Sequence, residues 1–139
     1  MADIVTAIVD LARASAGIAA LVGAHVYGDE LPEAAVKQMP RGALVVKPSG
    51  GAAFQPASSA NAEAQRIDLI SFGATPLEAD KLRRVAAPAL LALRRHRQGD
   101  VLIHWVQPAG GYLTGRDPDG QWPYAFQSFQ TLFSSMEVT

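Results

Sequence analysis

Three histidines, a handful of serines and two glycine pairs are the residues whose chemistry must be weighed first. His25, His96 and His104 are spaced too far apart for an H-x-x-x-H or H-E-x-x-H ligand pair. Ser49 lies in P-S-G-G and Ser71 in I-S-F-G, and neither matches the G-x-S-x-G turn that exposes a nucleophilic serine. Asp117-Pro118-Asp119-Gly120 faintly resembles a calcium loop. It lacks the further ligand position and the closing glutamate, so an ordinary turn is the expectation. Gly50-Gly51 and Gly110-Gly111 do not stand at a strand-to-helix junction followed by Lys-Ser or Lys-Thr, so they are not phosphate loops. Cysteine is absent, which removes thiol nucleophiles, disulfides and cysteine-based zinc sites. The sequence therefore predicts no catalytic residue, no metal site and no cofactor.

Charge gives one local signal. The 139-residue chain has a net charge of -1, so it offers no global field for nucleic acid. Lys81, Arg83, Arg84, Arg94, Arg95 and Arg97 nevertheless cluster, and all fall on one expected helix. That helix has no aromatic residue for base stacking and has Glu78, Asp80 and Asp100 close by. A solvated face or an electrostatic protein interface is the better reading, with a nucleic-acid adaptor as the rival. His96 then complements the helix C-terminal dipole, and His104 packs within a strand.

The elements that position these residues follow from periodicity. Residues 3–14 repeat apolar positions as an amphipathic helix, with Asp3 as its cap. Ser15 caps a short second turn that Gly23 ends. Val26-Tyr27 reads as a hydrophobic staple between Gly23 and the turn Gly28–Pro32. Ala43–Val46 is a strand. Residues 49–62 are small and turn-forming, and 66–72 is a second strand. Thr75-Pro76-Leu77-Glu78 combines an N-cap, a proline at N1 and a capping box, so a long helix should run from there to about Arg95. Pro88 should kink or split it. Residues 101–106 form a third strand, 107–121 a long loop, and 123–135 the last strand.

This order predicts one α+β domain over 1–139, with no internal repeat: a mostly antiparallel four-stranded sheet carrying an N-terminal helix and one long helix. Hydrophobic residues are 49% of the chain, but alanine dominates them, so the core is thin for its composition. The sheet is apolar on both faces. Val101, Ile103 and Trp105 oppose Leu102 and Val106, and Ile67 and Leu69 oppose Ile70 and Phe72. Helices can cover one face; a neighbouring subunit is an economical cover for the other, against long loops or a bulge that re-phases a strand. A change of parity between Phe126 and Phe129 places such a bulge near Ser128. No apolar run reaches the roughly 18 residues of a membrane span, and the N-terminus lacks a basic signal-peptide region.

The full order also carries a resemblance. IAALVGAHVYGDELPE, then MPRGALVVKPSGG, then RIDLISFGATPLEADKLRRVAAPAL, then WPYAFQSFQTLFSSMEV resembles the tail terminator, or tail completion, family of long-tailed bacteriophages and related gene transfer agents, over nearly the full length. Pro88 departs from the long helix expected there. The resemblance implies a structural virion protein, not an enzyme. Its subunits would form a hexameric ring that caps the tail tube, ends its polymerisation and meets the head-completion or neck proteins. Its partners would be itself, the tail tube protein and the neck connector, with DNA only passing through the lumen. Its location would be the tail–neck junction of the virion, and the host cytoplasm during assembly. Another head–tail connector is the alternative. The candidate interface residues are Phe54, Gln55, Arg66, Arg83, Arg84, Arg116 and Trp122. Removing residues 50–60 should then leave a folded protein that fails to join tube to head.

Overall fold

The computed structural model describes residues 3–50 and 62–135. The order is α1 (Ile4–Ala14), α2 (Ala16–Val22), β1 (Val26–Gly28), α3 (Glu33–Val36), β2 (Ala43–Pro48), β3 (Ala62–Phe72), α4 (Pro76–Leu91), β4 (Arg94–Gln98), β5 (Val101–Arg116) and β6 (Pro123–Ser135). The class is α+β, but the sheet has six strands rather than four, in the order β1-β2-β3-β6-β5-β4. β1 runs parallel to β2, and every other pair is antiparallel.

The helix starts agree with the sequence because each is written in local chemistry. Asp3 accepts the Val5 N–H at 2.9 Å, and Ser15 accepts that of Ile18 at 3.4 Å. Thr75 accepts the Glu78 N–H at 3.2 Å, with Pro76 in the first turn. Gly23, at φ 60, ends α2 with its N–H on the Ala19 carbonyl. Each cap satisfies a donor or acceptor that a helix end leaves free.

The two extra strands are the edges. Val26-Tyr27 is part of β1, with Val26 paired to Leu44 and Tyr27 to Val45. Three residues are too few to read as a strand from alternation alone. β4 corrects the expected length of the long helix. α4 runs unbroken past Pro88, whose ring faces solvent, and stops at Leu91. Arg94, His96, Arg97 and Gln98 then pair with β5. Arginine favours helices, so the sequence extended α4 through them, yet β5 offers an open edge that only pairing can fill. Arg94, Arg95 and Arg97 therefore leave the helix, and His96 sits in a strand rather than at a helix end.

The expected loop 107–121 is also corrected. β5 continues to Arg116 against β6, and only 117–122 turns. The Pro and Gly-Gly that read as loop lie at a register shift between Pro108 and Tyr112, with Gly110 at φ 120. A second shift falls between Ile103 and Trp105. It re-phases the strand, so Val101, Ile103 and Val106 are buried with the helices, while Leu102 and Trp105 turn to the other side. The bulge expected near Ser128 lies opposite it on β5, in the shift between Pro108 and Tyr112, and not in β6 itself. β6 pairs with β3 without interruption from Tyr124 to Ser134, and the irregularity belongs to β5.

α1, α2 and α4 cover one face. Ile8, Ile18 and Leu82 meet Leu44, Ile67, Leu69 and Phe129 there, all at most 2% exposed. α1 is tied to the β1 edge through Arg13, whose Nε and Nη2 both donate to the Val26 carbonyl, at 3.1 and 2.6 Å. No single helix among the described residues is long and apolar enough to cross a membrane.

Candidate functional site

The face opposite the helices carries the candidate site. Along β2 and β3 it presents Ala43, Val45, Ile70 and Phe72, and β6 adds Tyr124 and Phe126. Part of it forms a second small core in which Trp122 and Tyr124 both meet Phe72 edge-on, with ring centres 6.3 and 6.4 Å away. Such contacts hold the 117–122 turn on the sheet. Beyond them the face is open among the described residues. Ile70, Phe126 and Trp105 stay half-buried, and Leu113 is 51% exposed.

Two grooves indent this face. One, of about 330 Å³, runs between Leu113 and Phe126 and reaches Asp117. The other, of about 440 Å³, lies beside β1. Phe72 and Trp122 form its apolar floor. Asp29, Glu30, Asp117 and Asp119 stand around it with one amine, Lys47. Asp117 has a local duty as well, since its Oδ1 accepts the N–H groups of Asp119 and Gly120 at 2.9 and 2.8 Å. The D-P-D-G segment is thus an Asx turn, as its residue types indicated.

The predicted interface residues do not come together. Phe54 and Gln55 lie outside the described residues. Arg66 is half-buried on the open face, with Nη2 donating to the Ala109 carbonyl at 3.4 Å. Trp122 belongs to the floor just described. Arg116 sits at the end of β5 and closes the turn by donating to the Gln121 carbonyl at 2.9 Å. Arg83 is on the other side of the sheet and is already engaged. Its side chain, 11% exposed, contacts Asp80 at 2.9 Å and donates to Gln127 Oε1 at 3.2 Å. The Tyr112 ring centre is 3.7 Å from its guanidinium carbon. Arg84 is exposed and meets the second oxygen of Asp80 at 3.1 Å. Arg83 thus ties α4 to β5 and β6.

The histidines are structural in their surroundings. His25 Nδ1 is 2.7 Å from the Tyr27 hydroxyl. Desolvation, with the nearby Arg41 charge second, holds its pKa below the ordinary 6.5. His104 Nε2 is 2.6 Å from Ser134 Oγ. That is a serine–histidine contact, but among the described residues no carboxylate bonds the other ring nitrogen, so nothing orients the base. No group of three or more His, Asp or Glu side chains among the described residues could hold a metal ion. The hydroxyl of Ser71 is buried without a partner among them.

The candidate site is thus an apolar sheet face, grooved, with charge at its margins. No protein-family model matches the chain, and no curated protein matches it. Solved structures do share the fold. A chain from the virion of a native gene transfer agent particle superposes with a TM-score of 0.68 at 17% identity, over 94% of this chain and 93% of its own. The bacteriophage SPP1 gp17 protein superposes with a TM-score of 0.52 at 16% identity, over 95% and 87%. At such identities the likeness is one of fold.

Proposed function

We propose that the chain is a structural virion protein that caps the tail tube of a bacteriophage or gene transfer agent as a ring. In that role it ends tube polymerisation and presents a surface to the head-completion or neck proteins, with six copies the expected ring size. The observation that carries the reading is the full-length likeness in fold to a chain of a gene transfer agent virion. The sequence pattern supports it separately, and so does a sheet whose second face is left open. Tube and neck proteins would meet the two ends of the ring, and DNA would pass through its lumen. The protein would reside at the tail–neck junction and be made in the host cytoplasm. A different head–tail connector remains the second reading, because small ring-forming α+β subunits serve there too.

Two measurements test this. Removing the gene from its particle should give overlong tubes without heads, whereas normal tails joined to heads would sink the proposal. Light scattering with negative-stain imaging should find rings of six; twelve copies would favour a connector.

A further inference from the structure

The β4 edge of the sheet is basic, and the groove on the open face beside β1 is acidic. β4 presents Arg94, Arg95 and Arg97, all exposed, and the nearest acid along the chain is Asp100 in the following turn. The groove beside β1, on the open face, is ringed by Asp29 and Glu30 just after β1 and by Asp117 and Asp119 of the β5–β6 turn, with Lys47 as the one cation that lines it. The ion pairs among the described residues all centre on Asp80, far along the chain from both sets. Among the described residues, neither set is neutralised by such a pair.

The apolar parts match as well. Arg94 stands across from Trp105 and Arg97 from Leu102, so the basic edge has half-buried apolar side chains beside its guanidinium groups. The acidic groove has Phe72 and Trp122 beneath its carboxylates. Charged side chains on an edge strand commonly serve to block pairing with other sheets. Here a basic edge and an acidic groove each repel their own kind and attract the other, which selects a head-to-tail contact over a two-fold one.

We infer that the arginine-bearing β4 edge of one copy docks into the acidic groove beside β1 of a second copy. The inference rests on the ring reading above and gives the ring its subunit contact. The basic edge and the acidic groove are separate surfaces with no residue in common, so one subunit can present both at once. A head-to-tail contact of this kind closes a ring when its rotation allows.

The test is a charge swap followed by sedimentation velocity. One variant is R94E/R97E, and the other is E30K/D119K. Arg95, at φ 48, Asp29, at φ 67, and the turn-holding Asp117 are left alone. Both variants should unfold thermally like the wild type, and R94Q/R97Q gives a neutral control for folding. The wild type should associate at low ionic strength and separate as salt rises. Each reversal alone should weaken association by more than about tenfold. Mixing the two reversed proteins restores both attractive contacts, and so should combining all four substitutions in one chain. Folded variants that do not recover on mixing overturn the inference, as does a wild type that stays monomeric at low salt. So does R94E/R97E losing affinity for double-stranded DNA with its self-association unchanged, since the basic edge then serves a polyanion. Restored rings that fail to end tube growth would refute the tail reading and leave the edge contact standing.

Discussion

At the scale of single residues, the sequence was right about turn and cap chemistry and could not reach contacts across the sheet. Asp3, Ser15, Gly23 and Thr75 do their work within four residues of chain, where residue type nearly decides the outcome. Arg83 shows the limit. It reads as one cation in a basic cluster, but its environment is Asp80, Gln127 and Tyr112. Two of these lie on strands that only the fold brings close. Arg83→Met should lower stability by about 1–2 kcal/mol, because Gln127 loses its side-chain partner and Asp80 keeps only Arg84; unfolding in urea would measure it. Ser71 gives the opposite case. Its hydroxyl is fully buried without a partner among the described residues, so Ser71→Ala should be neutral or stabilising by up to about 1 kcal/mol. A clear loss in melting temperature would show that a buried water serves it. Gly73 has no such freedom. A Cβ there would lie 2.4 Å from the Ala79 nitrogen, so β3 could not pass the start of α4. Gly73→Ala should cost about 1–3 kcal/mol or more, read by the same melts.

Elements were legible where their period was clean and unread where pairing overrode propensity. α1 and the start of α4 came from the 3.6-residue repeat and their caps. α1 also supplies a pH prediction. The Thr6 hydroxyl donates to Asp3 at 2.6 Å, and this bond chiefly holds the Asp3 carboxyl below its ordinary 3.8. Its contribution is therefore complete above about pH 3.8 and lost as pH falls through the lowered value. Asp3→Ala should cost about 1 kcal/mol at neutral pH and flatten the stability curve in that acid window. An unchanged acid limb in the variant would refute the assignment. β4 and the outer half of β5 went unread for a common reason. Arg-Arg-His-Arg and Pro-Ala-Gly-Gly favour helix and loop in isolation. Each becomes strand because a neighbouring edge has backbone groups to satisfy.

For the whole molecule, the feature with most bearing on the proposed ring is the apolar face opposite the helices. Leu113 is 51% exposed there, at the lip of a groove floored by Ile70 and Phe126. Leu113→Glu should leave the melting temperature within about 2 °C, since little burial is lost. The same change should abolish tail joining if this face meets a partner, and normal joining would show that it does not. The sequence by itself determined the α+β class, the helix caps, the two-faced apolar strands and the absence of a catalytic motif, because composition and local spacing carry all of these. Only the tertiary structure decided that the sheet has six strands, that a bulge moves Trp105 to the open face, and that arginines gather on the β4 edge while carboxylates ring a groove beside β1. Those facts depend on which strands become neighbours, and pairing joins residues far apart in the chain through backbone groups that every residue type shares.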